Sequence, residues 1–452
     1  MVDAEASKVS GGHLRGGSSP PSGRIVEEIY YAAIKAVEPY NAVLSQKEKI
    51  RKVYEEGNFN KLFVVGFGKA SPSMAMAIED NFSEVITEGV IVTKYGHTKR
   101  NLKSVIKVYE AGHPLPDENG LKATEKIKNL LSAADEKTMV LCLISGGGSS
   151  LLVAPVDGID LASKREINSL LLNSGAEIEE INTVRKHLSK VKGGRLAELA
   201  YPAKVLSLII SDVIGDKIDV IASGPTAPDP STYEDAIEVL KKYNLWKKIP
   251  QNIKEVLEKG RKGLVHETPK RDSKIFEKVE NIIVGSNKIA LRSAKKKAEE
   301  MGFETEILTF ELKGEAREAG RWLAEKAVRF LNSKGRNRKI CLLSGGETTV
   351  SVKGNGTGGR NMEFALSFAM EIEGKNGITL LSAGTDGTDG PTDAAGAIVD
   401  GETIKKAKRM GINPGAYLKK NDSYNFFKKV GGLFITGPTG TNVMDIQVVI
   451  LE

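Results

Sequence analysis

Residues 139–150 read MVLCLISGGGSS, a short apolar segment that runs directly into three glycines and two serines. The apolar part is too short for a typical helix and too uniformly apolar for a strand with one face in water. It therefore predicts a strand that is buried on both faces, as in parallel sheets covered by helices. The glycines then lie in the loop at the carboxyl end of this strand, where such sheets bind ligands.

Other short apolar segments rich in β-branched residues extend this pattern. They lie at 62–66 (LFVVG), 89–93 (GVIVT), 105–109 (VIKVY) and 205–211 (VLSLIIS). Helical segments fall between most of them, and an amphipathic helix from Arg24 to about Pro39 precedes them. The alternation of strand and helix predicts an α/β fold, beginning with a Rossmann-like domain that has a doubly wound, mostly parallel sheet.

A second α/β series follows in the rest of the chain. Its strands are predicted at 281–285, 305–308, 339–344, 378–384 and 445–451, and its helices near 287–301, 314–332 and 360–373. Between the two series, the charged segment Lys259–Val279 has no periodic pattern, as is typical of a domain boundary. We expect a first domain over 24–262, a second, smaller α/β domain over 276–452, and a disordered tail over 1–23.

The composition excludes several classes of protein. The chain has 452 residues and a net charge of +7, but its basic residues alternate with Glu along helical segments, so a small anionic ligand is favoured over nucleic acid. The absence of a long apolar segment and of a secretory signal predicts a cytoplasmic protein with no membrane partner. Only three glutamines stand beside abundant Lys and Glu, which favours a thermophilic source.

The first candidate loop, GFGKA at 66–70, joins a predicted strand to a predicted helix. Gly66 and Gly68 let the backbone approach a ligand, and Lys69 adds a positive charge, so the loop suits a phosphate or a carboxylate. It is not a Walker A loop, and Ser71 occupies the last position of the GxGxxG dinucleotide motif. An ordinary tight turn with a solvated lysine remains the alternative.

The second candidate is the glycine loop, which we define as residues 145–150. Successive N–H groups in a glycine-rich turn after a buried strand form an anion-binding nest. All of its residues are candidates for binding nucleotide or substrate: Ser145, Gly146, Gly147, Gly148, Ser149 and Ser150. A nucleophilic serine is not favoured because the GxSxG motif is absent, and a flexible turn is the remaining alternative.

A third loop, SDVIGD at 211–216, follows the strand predicted at 205–211. A carboxylate at this edge of the sheet can bind Mg²⁺ or accept a proton from a hydroxyl group. We therefore expect Asp212 to be catalytic, with capping of a turn as the alternative.

In the second half, Arg360 opens a predicted helix after a glycine-rich stretch, as a bidentate clamp on a phosphoryl or carboxylate group requires. Its expected companions in binding are Gly346, Glu347, Gly358, Gly359 and Asn361. Asp386 and Asp389, separated by Gly and Thr after a strand, predict a divalent cation site.

The histidines show no metal-ligand spacing. We expect packing or surface roles for His97, His113, His187 and His266. His113, in the sequence Gly-His-Pro, is the least ordinary of them.

Seven ordered motifs together resemble the glycerate kinase family whose second half is called the MOFRL domain. They are GFGKAS, AGHPLPDENG, SGGGSSLL, SDVIGD with IASGPT, LSGGETTV, GGRNMEFAL and SAGTDGTDGPTDAAG. The resemblance runs from about Arg24 to the end of the chain. It implies ATP-dependent phosphorylation of D-glycerate on its 2-hydroxyl, with Mg²⁺, in a cleft between two domains. The family's important lysine and arginine fall on Lys69 and Arg360.

Several alternatives stay open at this stage. The product could be 3-phosphoglycerate instead of 2-phosphoglycerate, and some relatives of such chains are called hydroxypyruvate reductases. The incomplete GxGxxG motif speaks against a reductase. A nucleotide-binding module without activity is a third alternative, and a homodimer is an open expectation.

Overall fold

The computed structural model of the chain describes residues 21–98, 105–333 and 338–452. A six-stranded sheet forms its first half, and the strand order is β3-β2-β1-β4-β5-β6. The strands are β1 (Lys61–Phe67), β2 (Ile86–Lys94), β3 (Ile106–Ala111), β4 (Thr138–Ile144), β5 (Lys204–Ile210) and β6 (Val279–Gly285). All neighbouring pairs run parallel, which confirms the doubly wound parallel sheet.

The second sheet also has six strands, in the order β11-β10-β9-β12-β8-β7. They are β7 (Glu304–Leu312), β8 (Ile340–Gly346), β9 (Ile378–Gly384), β10 (Gly396–Asp400), β11 (Leu433–Phe434) and β12 (Asp445–Leu451). This sheet is mixed, because β12 runs antiparallel to both of its neighbours, β8 and β9. The first residue of β12 therefore lies at the edge where β8 and β9 end.

Helices cover both sheets. They are α1 (Pro21–Ala36), α2 (Pro39–Leu44), α3 (Lys47–Glu56), α4 (Ser71–Phe82), α5 (Glu118–Ser132), α6 (Gly148–Leu151), α7 (Leu161–Asn173), α8 (Ile178–His187), α9 (Arg195–Ala200), α10 (Tyr233–Lys242), α11 (Gln251–Arg261), α12 (Asn287–Glu300), α13 (Ala316–Ser333), α14 (Arg360–Glu371), α15 (Thr403–Arg409), α16 (Pro414–Lys419) and α17 (Ser423–Val430). Within the described ranges, no helix combines the length and the apolar composition needed to cross a bilayer.

Several features differ from the sequence predictions, and among them strands β10 and β11 have no predicted counterpart. Strand β6 was expected to open the second series, but it pairs with β5 and completes the first sheet. The segment Lys259–Val279, which has no periodic pattern, belongs to the long connection that leads from β5 to β6 in the same sheet. At the N-terminus, helix α1 begins at Pro21, so the last residues of the predicted tail are helical; residues 1–20 of that tail lie outside the described residues.

The two sheets share one apolar core. A single cluster of buried side chains includes Tyr30 of α1, Leu141 of β4 and Leu343 of β8. Helix α1 also packs on α12, β9 and β12, and the Tyr30 hydroxyl donates a hydrogen bond to the Gly384 carbonyl, 2.7 Å away. Helix α1 therefore stabilises the second sheet.

Candidate active site

The loop after β1 and the glycine loop after β4 are bonded to each other. The Lys69 N–H donates to the Gly146 carbonyl (2.9 Å), and the Ala70 N–H donates to Ser145 Oγ (3.1 Å). Gly68 has a φ of +123°, and a Cβ there would collide with Ser145. Glycine at 68 is therefore needed for the close approach of the two loops.

The glycine loop presents unused donors beside Lys69. Gly147 has a φ of +85°, and a Cβ there would lie 3.4 Å from Lys69 Cγ. In the described part of the chain, no acceptor receives the N–H groups of Gly146 and Gly147, and no carboxylate pairs with the Lys69 ammonium. A cation and two backbone donors thus converge where the sequence predicts an anion.

Two histidines join this basic cluster. The same Cβ position on Gly147 would lie 3.0 Å from His113 Nε2, and His97 Nδ1 lies 3.3 Å from the Lys69 carbonyl oxygen. Burial first, and then the charges of Lys69, Lys94 and His97, lower the pKa of His113 to about 4. His113 is therefore a neutral imidazole near pH 7. The sequence predicts a packing or surface role for the histidines and distinguishes His113 by its Gly-His-Pro sequence.

Asp212 lies at the end of β5, against the glycine loop. A Cβ on Gly146 would collide with Asp212 Oδ2, so Gly146 makes room for the carboxylate. Burial raises the pKa of Asp212, while a backbone hydrogen bond and the Lys69 charge act in the opposite direction. The structure thus brings Lys69, the glycine loop and Asp212 together.

On the second sheet, Arg360 is held by two carboxylates. Its Nε and Nη2 donate to Asp445 at 2.6 and 3.0 Å, and its Nη1 lies 2.8 Å from Glu347 Oε1. The fork that sequence analysis expected to clamp a phosphoryl group is thus occupied by Asp445. Asp445 does not follow the carboxyl end of a strand: antiparallel β12 brings its first residue to this edge, so the sequence pattern does not indicate it.

The two halves of the site meet across the cleft. Burial raises the pKa of Glu347, and the carboxylates of Asp445, Asp212 and Asp386 raise it further, while Arg360 lowers it. Asp212 follows a strand of the first sheet and Glu347 follows a strand of the second, so these two carboxylates interact across the boundary between the sheets. The loop after β5 also approaches β7 and α12, and Lys288 Nζ lies 3.7 Å from Asp216 Oδ2.

The predicted pair of metal ligands is not assembled. Asp389 accepts hydrogen bonds from the N–H groups of Asn361 (3.0 Å) and Met362 (2.8 Å), so it caps the start of α14. Burial raises its pKa to about 7. Asp386 is half-buried at the cleft, and its Oδ1 accepts from the N–H of Thr388 at 3.0 Å. Among the residues that the structure describes, no group of three or more His, Cys, Asp or Glu side chains is placed to hold a metal ion.

The remaining predicted residues of the second half lie in packed positions. A Cβ would collide with Leu312 at Gly346, with Ser423 at Gly358 and with Asp389 at Gly359. Asn361 is buried, and its Oδ1 accepts a hydrogen bond from Ser382 Oγ at 2.8 Å. These residues support the geometry around Arg360.

In the first half, Gly66 and Gly148 are also packed closely. A Cβ would lie 2.8 Å from Ile91 Cγ2 at Gly66 and 2.9 Å from the Ala222 Cβ at Gly148. Ser149 Oγ lies 2.8 Å from Ser223 Oγ, and Ser150 Oγ donates to the Gly147 carbonyl (3.1 Å).

Two cavities of about 510 and 900 Å³ lie elsewhere, between residues 216–230 and residues 270–281. Neither Lys69 nor Arg360 lines them.

Comparison with known proteins covers nearly the whole chain. Two families match: one described as a domain of unknown function (DUF4147), over residues 25–258, and the MOFRL family, over residues 340–445. The chain is 49% identical over 425 residues to the D-glycerate 2-kinase of Thermotoga maritima, covering 94% of this chain and 97% of the relative. It is 45% identical over 427 residues to the glycerate 2-kinase of Pyrococcus horikoshii, covering 93% and 95%.

A relative in Agrobacterium vitis carries a provisional name, hydroxypyruvate reductase. It is 42% identical over 434 residues, covering 95% of this chain and 94% of the relative. Among solved structures, the crystal structure of a glycerate kinase from Thermotoga maritima matches with a TM-score of 0.86 and 48% identity, covering 95% of this chain and 99% of that one.

Proposed function

The chain belongs to the glycerate kinase family that carries the MOFRL domain, and from this membership we propose that it phosphorylates D-glycerate on the 2-hydroxyl, with ATP as donor. The products are 2-phosphoglycerate and ADP. The 2-kinase names of the relatives from Thermotoga maritima and Pyrococcus horikoshii support this reaction.

One chain of contacts supports the proposal: the glycine loop packs on Asp212, the charge of Asp212 acts on Glu347, and Glu347 pairs with Arg360. Phosphoryl transfer needs alignment and electrostatic stabilisation more than covalent participation. Lys69 and the N–H groups of Gly146 and Gly147 supply the first cation and its neighbouring donors. Arg360, held by Asp445, supplies the second.

In this mechanism, Lys69 binds glycerate's carboxylate or the phosphoryl group in transfer. Arg360 is fixed from behind by Asp445, and its Nη1 faces half-exposed Glu347, so a phosphoryl oxygen can compete for that nitrogen. Asp212 accepts the proton of the attacking hydroxyl. Its raised pKa makes it a better proton acceptor than an ordinary carboxylate.

Neutral His113 stands beside Lys69 and can donate or accept a hydrogen bond without adding charge. Its position beside the glycine loop supports a contact with a hydroxyl of the substrate.

Two carboxylates with phosphate oxygens are enough for Mg²⁺, which is commonly bound in this way. The charge of Asp386 reaches Glu347, since it raises the pKa of that carboxyl group. We propose that Asp386 and Glu347 hold Mg²⁺ together with the phosphates, in place of the expected pair with Asp389. The ion supplies charge neutralisation at the phosphate oxygens.

The turn between β1 and α4 does not favour a reductase activity. Ser71 occupies the place of the last glycine of the dinucleotide motif, and its buried hydroxyl donates to the Gly68 carbonyl at 2.8 Å. Hydroxypyruvate with NADH is therefore the control reaction, and loss of NADH would favour the reductase.

The test is incubation of the purified protein with D-glycerate, ATP and Mg²⁺, followed by ³¹P NMR of the product. We expect 2-phosphoglycerate and an equal amount of ADP. Formation of 3-phosphoglycerate would contradict the regiochemistry, and absence of any phosphorylated product would contradict the proposal as a whole.

Cytoplasmic location, a thermophilic source and a homodimeric state are also proposed, on the sequence reasoning alone. Cys142 and Cys341 are buried free thiols, which supports a reducing compartment. Thermal unfolding and sedimentation of the purified chain test the other two.

A further inference from the structure

Beneath the glycine loop lies a buried lysine that the mechanism above does not use. Lys192 is 1% exposed, and its ammonium donates to the Ser149 carbonyl (2.7 Å) and the Leu152 carbonyl (3.0 Å). No carboxylate of the described residues lies within ion-pair distance of it. A buried amine whose hydrogen bonds go to two backbone carbonyls fixes the position of those carbonyls, and both belong to the segment that continues the glycine loop.

The segment that carries Lys192 also holds the loop from a second side. The Gly193 and Gly194 N–H groups donate to the carbonyls of Ser223 and Gly224 at 3.0 and 2.8 Å. Ser223 in turn lies 2.8 Å from Ser149, hydroxyl to hydroxyl. Lys192 is therefore one part of a rigid support under the residues that follow Gly147.

Burial is the main influence on the titration of Lys192. Burial, and then the charges of Lys164 and Arg185, lower its pKa well below the ordinary value. Within the described residues, the side-chain hydrogen bonds of Lys192 go to backbone carbonyls alone.

We propose that Lys192 is a positioning residue for the nucleotide: it draws the carbonyls of Ser149 and Leu152 inward and so presents the N–H groups of Gly146 and Gly147 to the phosphates of ATP. This rests on the proposed function, because it names the ligand of the same loop. Lys192 touches no substrate and acts only through the loop.

The experiment compares two buried lysines. Lys192→Met keeps the length and apolar stem but removes the ammonium. Lys164→Met is the matched control, because Lys164 is 2% exposed and donates to two carbonyls as well, those of Arg185 and Leu188 (both 3.3 Å), away from the glycine loop. Both variants are measured for KM of ATP, KM of glycerate, kcat and thermal unfolding.

We expect Lys192→Met to raise the KM for ATP by about tenfold to a hundredfold, since the buried carbonyls of Ser149 and Leu152 both lose their donor and the loop is no longer held in place. The KM for glycerate should change less, and Lys192→Arg should recover part of the loss. Lys164→Met should leave the KM for ATP within about twofold. An unchanged KM for ATP in folded Lys192→Met, or an equal rise in both variants, would overturn the proposal.

A binding measurement separates this inference from the proposed function. Titration calorimetry with inorganic tripolyphosphate reports on the loop without any turnover. Weaker binding by Lys192→Met than by Lys164→Met supports the inference even if the wild-type protein fails to phosphorylate glycerate. Equal binding by the two variants refutes it even if the kinase reaction is found.

Discussion

Asp445→Asn is expected to keep Arg360 in the site but to release it from the orientation that Asp445 imposes. The Asp445 side chain is 1% exposed and that of Arg360 is 34% exposed. Removing one partner of a fully buried ion pair costs about 3–5 kcal/mol. Here water can solvate part of the arginine and the amide oxygen still accepts one hydrogen bond, so we expect the free energy of unfolding to fall by about 2 kcal/mol.

Activity should fall by more than stability. In Asp445→Asn, Arg360 keeps at most one of the two hydrogen bonds that fix its Nε and Nη2, and misplacement of a catalytic group by about 1 Å costs on the order of a hundredfold in rate. We expect kcat to fall about tenfold to a hundredfold at 25 °C, where the variant remains folded. Urea denaturation and steady-state kinetics on the same preparation measure the two quantities.

Glu363→Gln provides the matched control. Glu363 accepts hydrogen bonds from Arg317 at 3.0 and 2.6 Å and is 2% exposed, so it forms a similar ion pair on the same helix as Arg360 but faces α13. It should lose comparable stability and keep kcat within about twofold. Wild-type kcat in Asp445→Asn, or an equal loss of kcat in Glu363→Gln, would refute the reasoning.

Three further changes test the first sheet. Lys69→Ala should lower kcat by at least about a hundredfold with little change in unfolding, because no carboxylate of the described residues pairs with its ammonium; near-normal turnover would reject its role. Gly147→Ala should weaken ATP binding and cost about 1 kcal/mol of stability, since φ is +85° there and the new methyl group would approach His113; unaltered kinetics and melting would contradict this. His113 has a folded pKa of about 4 against 6.5 unfolded, so the unfolded state binds more protons between these values and stability should fall as the pH drops from 6.5 to 4. His113→Asn should flatten that part of the stability curve, and an identical curve would show that His113 is not the group responsible.

Local sequence pattern predicts most of the fold because the central strands β4, β8, β9 and β12 are short and fully buried. MVLCLIS and its counterparts have no polar face, so their apolar character alone identifies them. Sheet membership of β6 is a different matter. The sheet that β6 joins depends on where the chain returns after α10 and α11. The residues at 281–285 do not indicate which of the two sheets that is.

The sequence predicts the neighbourhood of Lys69, the glycine loop and Asp212, because each follows the carboxyl end of a parallel strand. Asp445 could not be found in this way, since it lies at the beginning of an antiparallel strand. Asp389 was assigned to metal from its acidic surroundings, whereas its position opposite the first N–H groups of α14 makes it a cap. Distinguishing a cap from a ligand requires the tertiary contact, because the same residue types serve both purposes.

A crystal structure with D-glycerate, Mg²⁺ and a non-hydrolysable ATP analogue examines whether the two halves act on one substrate. Lys69 Nζ and a guanidinium nitrogen of Arg360 should then both lie within about 4 Å of oxygens of the bound γ-phosphoryl group or of glycerate. A ternary complex in which the ligands touch only one of these two cations, with the other still facing solvent, would contradict the shared cleft.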